Sequence, residues 1–371
     1  MDLGTLRDAL THPGPVATVY LEARSPSEDA AAQVDLRWRD LLDQLKSQGA
    51  DEDTLAALRE VPEHGREGWQ QGSGHVVVAV SDGVLFAAPV DAALGAGDWA
   101  SWAPLPRLED YARARSRATR QLLVLADQEG ATVHQLTVAA HTGTRELASE
   151  QVEGGSLHSP HKPRGGGVTH TRAEEASYRN ADDVVAHLRE AVSRFRPEAL
   201  VLAGEVQGRQ ALRHEFPDQW ADFTVETGSG GGRSGMIDEQ LTSELYEIAG
   251  RIEAERAGAT VERFHSGLPE RNSVEGLAAT VHAASTGAVE TLLVEHDAPV
   301  IGQVWIGPEP EQLALDAATL HQLEVTEPQQ DGAEPALLRA CAALGGQLLE
   351  VPSGTALPDG VGALLRFDPG H

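Results

Sequence analysis

Short, mostly apolar runs recur along this chain, and each lies beside a segment with helical periodicity. Three of them are Gln121–Ala126, Ala199–Gly204 and Val289–Val294. Runs of this length without polar alternation are typical of strands that are buried on both faces. Their alternation with amphipathic helices predicts an α/β fold in which helices cover a partly parallel sheet. A length of 371 residues suggests two or three such domains.

The pattern predicts three α/β domains, so we expect an α+β multidomain protein. The first begins with a strand at Pro15–Ala23 and a long amphipathic helix at Ser25–Lys46. Tryptophans and prolines between residues 95 and 118 mark its end. The last is predicted to be a compact α/β sandwich of about 100 residues, an ordinary single-domain size. The predicted domains span residues 1–118, 119–265 and 270–371.

A basic, glycine-rich segment at residues 156–172 is the most unusual local feature, and we call it the finger. Between Ser156 and Asn180, four lysine or arginine residues oppose two glutamates, so the local charge is 4 − 2 = +2. Three consecutive glycines free its backbone to adopt positive φ angles. We interpret the finger as a segment that reaches a negatively charged partner; a solvated surface loop is the alternative. Its candidate contact residues are His158, His161, Lys162, Arg164, Gly165, Gly166, Gly167, His170 and Arg172.

The charge of the whole chain is opposite to that of the finger. Lysine and arginine number 29 against 57 acidic residues, so the net charge is 29 − 57 = −28. This excess argues against nonspecific coating of nucleic acid or membrane, but a local basic site still permits an RNA partner. Cys341 is the single cysteine, which excludes an intramolecular disulfide. Without a signal peptide or an apolar span in the sequence, we expect a cytoplasmic protein.

Other motifs suggest chemistry, but each has an ordinary explanation. Gly230, Gly232 and Gly235 match GxGxxG between a predicted strand and helix. No ribose-binding acid follows, so a dinucleotide site is disfavoured. The finger histidines are a conceivable zinc site, and Ser156 and Ser159 conceivable nucleophiles, but nothing in the spacing defines a geometry. We therefore predict no catalytic residue, no metal and no cofactor.

The three predicted domains together resemble the archaeo-eukaryotic class I release factor and Pelota superfamily, in its bacterial branch, over nearly all of residues 120–371 and most closely near the C-terminus. The resemblance rests on GAVETLLV at residues 287–294, LGGQL at 344–348 and GVGALLRF at 360–367. It implies a release-factor/Pelota arrangement of three domains, the last with the fold of kink-turn-binding ribosomal proteins. In this superfamily the last domain recruits a translational GTPase, so EF-Tu or a related GTPase is the implied partner.

Within this resemblance, Arg164-Gly165-Gly166-Gly167 lies where release factors carry Arg-Gly-Gly-Gln. Gly167 replaces the glutamine that positions water at the peptidyl-tRNA ester in those factors. The first domain also lacks an Asn-Ile-Lys-Ser stop-codon motif. Gly345-Gly346-Gln347 does spell the release tripeptide, but its place between a helix and a strand predicts a helix C-cap.

The resemblance implies two functions. The first is a ribosome-binding hibernation factor that occupies the vacant A site, with its finger at rRNA or tRNA of the peptidyl-transferase centre and no bond broken. The alternative is a ribosome-rescue peptidyl-tRNA hydrolase in which the backbone amides of Gly166 and Gly167 position water. Neither implies a membrane or DNA partner. A nucleotide-binding oxidoreductase is the disfavoured third class.

Overall fold

The computed structural model describes residues 1–21, 30–64, 74–90, 97–127, 130–140, 143–153, 169–229 and 237–370. The chain forms two compact units. The terminal unit contains Met1–Arg117 and Glu255–His371, and the middle unit contains Ala118–Ala254. Both units combine sheets with packed helices, so the predicted α/β class is confirmed. Where the sequence predicts three domains, the first and last of them share one unit.

The N-terminal part of the terminal unit is built on an antiparallel sheet. After a 3-10 turn at Leu3–Leu6, its elements are α1 (Arg7–Leu10), β1 (Val16–Leu21), α2 (Ala30–Ser47), α3 (Glu52–His64), β2 (Gly74–Val80), β3 (Gly83–Val90), β4 (Trp99–Ala103) and α4 (Glu109–Arg117). The strand order is β3-β2-β1-β4. Every residue of β1 is buried, because alternate side chains enter two cores. Ala17 and Val19 pack with the helix residues Leu41 and Leu58, whereas Tyr20 enters the other core.

The middle unit is a mixed sheet covered by helices on both faces. Its elements are β5 (Thr119–Ala126), β6 (Gly130–Ala139), β7 (Gly143–Glu153), α5 (Thr169–Phe195), β8 (Ala199–Gly204), α6 (Val206–Glu215), β9 (Thr224–Glu226) and the start of α7 (Glu239–Gly267). The order is β7-β6-β5-β8-β9, with β5, β8 and β9 parallel. Along β5, Leu122 packs with α5 and α6, while Leu123 packs with Leu241 and Leu245 of α7.

The C-terminal part of the terminal unit contains two sheets. Its elements are β10 (Ser273–Glu275), α8 (Leu277–Ser285), β11 (Val289–Glu295), β12 (Gln303–Ile306), β13 (Leu313–Ala314), α9 (Ala317–Gln322), β14 (Gln329–Gly332), α10 (Ala333–Ala343), β15 (Gln347–Val351) and β16 (Val361–Leu365). The sheet orders are β10-β16-β11-β15 and β13-β12-β14. The runs that carry the predicted resemblance thus form β11, β15 and β16, three adjacent strands. That residues 270–371 have the fold of the kink-turn-binding ribosomal proteins stays a prediction.

One continuous hydrophobic core joins the two parts of the terminal unit. Leu3, Leu6 and Tyr20 from the N-terminal part belong to the same cluster of buried side chains as Leu337 and Val361. Backbone pairing reinforces it, because the amide of Leu3 donates to the Gly346 carbonyl at 3.0 Å and the amide of Leu348 donates to the Met1 carbonyl at 2.8 Å. The shared core accounts for the grouping of both parts in one unit.

Most predicted elements are found, and the missed ones lack apolar periodicity. β7 was not predicted, since it is an edge strand whose residues 147–151 are exposed and show no buried alternation. The region at 95–118 was interpreted as a boundary only. It holds β4, which pairs with β1, and α4, and the boundary between the units follows Arg117.

Candidate functional site

The finger lies mostly outside the described residues. The predicted contact residues His158, His161, Lys162, Arg164, Gly165, Gly166 and Gly167 all fall in the segment 154–168, which the description omits. His170 and Arg172 are part of the first turn of α5, although their side chains are also outside the description. Ser156 and Ser159 also fall in the segment 154–168. Gly230, Gly232 and Gly235 fall in residues 230–236, which lie outside the described residues as well.

The two elements that carry the finger are well anchored in the middle unit. β7 pairs with β6 as far as Glu153, opposite Gly130. On the other side of the finger, α5 contains 27 residues and is therefore about 40 Å long. Its side chains Val184, Val185 and Leu188 are buried against the sheet. The finger thus follows β7 in the chain and includes the first turn of α5, where the partial positive charge of a helix N-terminus favours anions.

β7 and α5 also contact each other. Val152 of β7 packs against the cluster that contains the buried face of α5. The Nε2 atom of His187 lies 3.3 Å from the Glu150 carboxylate, which is largely exposed. An exposed pair of this kind contributes little stability, so the apolar contacts are what hold β7 against α5.

The second glycine-rich tripeptide of interest, Gly345-Gly346-Gln347, has a structural role. It follows α10, and Gly345 adopts a positive φ of 65°. The amide of Gly346 donates to the Cys341 carbonyl at 2.8 Å and that of Gly345 to Ala342 at 3.1 Å. These two bonds define a Schellman motif, which ends a helix at a left-handed glycine. The predicted helix C-cap is confirmed, and Gln347 begins β15.

Cys341 is the small buried hydrophobe that the sequence predicts. It lies in α10 within the shared core, and burial raises the pKa of its thiol to about 12. A thiol with this pKa is protonated and unreactive at neutral pH. In the described part of the chain, no cluster of three histidine, cysteine or acidic side chains has the arrangement of a metal site.

A buried cluster of charged residues in the terminal unit was missed by the sequence analysis. Its cations come from the N-terminal part of the unit and its anions from the C-terminal part, and we call it the arginine clamp. The clamp consists of Arg107, Arg113 and Arg117 with Asp331, Glu334 and Glu350. The arginines lie in the region interpreted as a boundary, and no local pattern indicates their partners, which are more than 200 residues away.

Arg113 makes the central contacts of the clamp. Its Nε and Nη2 atoms donate to the two carboxylate oxygens of Glu334 at 2.6 and 2.7 Å. Its Nη1 atom donates to the Glu295 carbonyl at 3.0 Å. Burial alone would lower the pKa of Arg113, but its hydrogen bond to Glu334 and the charges of Glu334 and Glu350 raise it. This bidentate geometry fixes orientation as well as charge, so the clamp joins the two parts of the unit.

Acidic side chains outnumber basic ones in and around the clamp. Glu109 at the start of α4 lines the adjacent cavity of about 750 Å³ together with Arg113 and Glu334. Burial raises the pKa of Glu109 to about 7, and the nearby charges of Glu334 and Asp110 add to this rise while Arg107 opposes it. The pKa of Asp110 is also raised, first by burial and then by Glu334. We assign the cluster a structural role, since its cations are committed to carboxylates and carbonyls.

The region of the chain that includes the finger matches a known protein family model. Residues 120–270 match the model of bacterial archaeo-eukaryotic release factor family 2. This region of the chain is similar to that bacterial release factor family. The match covers β5 to α7, including the finger, and it confirms the resemblance to the bacterial branch that the sequence predicts. None of the helices in the described ranges has the length and hydropathy needed to span a membrane.

Relatives of the full chain are similar in length. The uncharacterized protein Rv2629 of Mycobacterium tuberculosis is 27% identical over 386 residues, covering 98% of this chain and 96% of the relative. Pelota from Archaeoglobus fulgidus is 14% identical over all of this chain and 92% of its own, with a TM-score of 0.32. Dom34 from S. cerevisiae is 12% identical over 81% of each chain, with a TM-score of 0.38. Both TM-scores lie below 0.5, so the similarity to the release factor family is carried by the match over residues 120–270.

Proposed function

We propose that this protein is a ribosome-binding factor that occupies the vacant A site without breaking a bond. Ribosome binding is the function that the match to a bacterial release factor family supports. Within the branch, the sequence resembles the hibernation factor Balon, and dormancy is the setting that we propose. In this arrangement residues 1–118 face the decoding centre, and residues 270–371 contact EF-Tu or another translational GTPase.

The observation that carries this proposal is the sequence Arg164-Gly165-Gly166-Gly167 within the matched region. The finger keeps the arginine and the two glycines of the release factor motif but has glycine in place of the catalytic glutamine. Glycine has no side chain with which to position water. A finger that retains its reach and its charge without that group is suited to occupancy rather than hydrolysis.

The charge distribution supports a specific RNA site. Lys162, Arg164 and Arg172 provide charge-assisted contacts to phosphates within a chain of net charge −28. An acidic body repels RNA in general, so only a site whose shape admits the finger gains from its positive charge. Occupancy of that site excludes aminoacyl-tRNA by sterics alone.

The test is co-sedimentation with vacant ribosomes, with release of labelled peptide from stalled ribosomes assayed in the same tubes. We expect Lys162→Ala/Arg164→Ala/Arg172→Ala to weaken binding about tenfold or more, since each lost phosphate contact reduces affinity and its salt dependence. The matched control is Arg189→Ala/Arg194→Ala/Arg213→Ala, which removes the same charge from exposed positions of the middle unit. This control should bind like wild type.

The outcomes separate the two functions. Finger-dependent binding without peptide release agrees with A-site occupancy. Finger-dependent release identifies a rescue hydrolase that positions water with the backbone amides of Gly166 and Gly167. Equal binding of the finger variant and its control overturns the role of the finger, and absence of binding by the wild type overturns ribosome binding itself.

A further inference from the structure

The cavity of about 750 Å³ beside the arginine clamp has a volume in the range of pockets that bind small organic molecules. It is bordered by β4, by the start of α4 and by the loop after β11, with Glu334 of α10 and Glu350 of β15 in its wall. Asp110 and Asp297 also line it and are exposed, so the cavity is open to solvent. The proposed ribosome function does not use this cavity.

The lining of the cavity carries an excess of negative charge. Five carboxylates line it against two arginines, so the formal charge is 2 − 5 = −3. The carboxylates belong to Glu109, Asp110, Asp297, Glu334 and Glu350. Both arginines already have carboxylate partners, since Arg107 donates to Asp331 and Arg113 donates to Glu334. The ion pairs of the clamp therefore leave part of the negative charge in the cavity without a counter-charge.

Glu109 and Asp110 are the carboxylates without a partner. Among the described residues, the Glu109 carboxylate has no hydrogen-bond partner besides its own backbone amide, and that of Asp110 has none. Glu109 is largely buried, and burial raises its pKa to about 7. The pKa of Asp110 is raised as well, first by burial and then by the charge of Glu334. A desolvated carboxyl beside like charges is stabilised by a cation, and the cavity adjoins both groups.

The opposite character is found in another part of the wall, which is aromatic and aliphatic. Trp99 of β4 lines the cavity and stacks on Tyr20, with ring centroids 4.6 Å apart. Tyr20 is fully buried, so it supports the indole ring from the core. Ala298 and Pro299 also line the cavity. An indole ring attracts ammonium groups by a cation–π interaction and packs against alkyl chains.

These features favour an organic cation over a metal ion. In the described part of the chain, no three histidine, cysteine or acidic side chains have the arrangement of a metal site. A single ion would also leave most of a 750 Å³ cavity and its aromatic wall unused. An aliphatic chain with several ammonium groups uses both the carboxylates and the apolar wall.

We propose that this cavity binds a small aliphatic polyamine. One ammonium group supplies the counter-charge that Glu109 and Asp110 lack. The alkyl chain packs against Trp99, and a second ammonium group is attracted by Asp297 at the mouth. This inference does not depend on ribosome binding.

Binding of a polyamine should release a proton from Glu109. At pH 7 this carboxyl is about half protonated, and a bound cation favours its ionised form. Affinity should therefore rise between pH 6 and pH 8. The other charged and titratable groups around Glu109 and the cavity are Tyr20, Arg107, Asp110, Arg113, His296, Asp297, Glu334 and Glu350. The variant Glu109→Gln separates the proton of Glu109 from any proton that these groups exchange.

The test is titration calorimetry of the full chain at pH 7 in two buffers of different ionisation enthalpy, which measures affinity and proton release together. The probes at constant ionic strength are spermidine, Mg²⁺ and 1,8-octanediol, a neutral chain of the same length as spermidine. We expect spermidine to bind at one site with proton release, and neither other probe to compete with it at that site. Absence of spermidine binding overturns the proposal, and so does equal competition by Mg²⁺.

The variant Glu109→Gln/Asp110→Asn should weaken spermidine binding about tenfold or more, the usual effect of losing hydrogen bonds to a charged group. The single variant Glu109→Gln should abolish the proton release. The matched control Asp43→Asn/Glu275→Gln removes two exposed carboxylates elsewhere in the terminal unit and should bind like wild type. An equal loss in the control means nonspecific attraction to the acidic chain and overturns the site.

A second variant keeps the proposal testable if the first does not fold. Asp297→Asn changes an exposed residue at the mouth of the cavity and should weaken spermidine binding severalfold without affecting stability. Its matched control is Asp43→Asn alone. Undiminished binding by Asp297→Asn contradicts the assigned position of the ligand.

Discussion

Arg113 is largely buried and Arg339 almost fully buried in the terminal unit, yet their surroundings have opposite effects on the pKa of each. Arg113 has a bidentate carboxylate partner, and its pKa is raised. Among the described residues, Arg339 donates to backbone carbonyls, and burial lowers its pKa. The comparison teaches that burial of an arginine does not reveal its role. Arg113 joins two parts of the unit through a carboxylate, whereas Arg339 holds the loop after β12 through two carbonyls.

The substitution Arg113→Met should have the largest effect, a loss of about 3–5 kcal/mol in the free energy of unfolding. It leaves Glu334, which is 8% exposed, without a counter-charge. The measurement is urea unfolding of the full chain. The control is Arg113→Met/Glu334→Met, which removes both charges and should be more stable than the single variant. A single variant within about 1 kcal/mol of wild type, the range of a surface pair, contradicts the central role of the clamp.

The substitution Glu109→Gln tests whether the pKa of this carboxyl, one of the acidic groups beside the clamp, is raised. A carboxyl whose pKa rises from 4.5 in the unfolded chain to about 7 in the folded protein stabilises the fold below pH 4.5 and loses that contribution as pH rises through 7. Removing the ionisable group should therefore leave stability unchanged at low pH and increase it by about 1–3 kcal/mol at pH 8. Urea unfolding of both proteins across this range is the measurement. A difference that does not depend on pH contradicts the elevated pKa.

The substitution Arg339→Met should have a smaller effect, a loss of about 1–2 kcal/mol. It removes two hydrogen bonds to carbonyls, but it also removes a buried charge without a counter-ion, and the two contributions oppose each other. Urea unfolding beside Arg113→Met measures the difference directly. A loss equal to that of Arg113→Met means that Arg339 has a counter-charge in the folded protein. That result would remove the contrast between the two arginines.

The finger and the clamp differ in how far sequence could reveal them. The finger could be predicted because consecutive residues, Arg164 to Gly167, combine a positive charge with three glycines. The clamp was missed because Arg113 and Glu334 are separated by 221 residues, and no periodicity connects them. β7 escaped prediction for a related reason, since its pairing with β6 depends on backbone hydrogen bonds rather than on an apolar pattern.

The sequence by itself determined the α/β class, the positions of the main buried strands and helices, the C-cap role of Gly345 and the release factor resemblance. These properties depend on local backbone preferences and on apolar periodicity, which neighbouring residues express. Only the tertiary structure decided that the first and last parts of the chain share a core, that Arg113 has a carboxylate partner and that Arg339 donates to two backbone carbonyls. Burial and charge pairing depend on residues that folding brings together from distant parts of the chain. Neighbouring residues in the sequence therefore do not predict them.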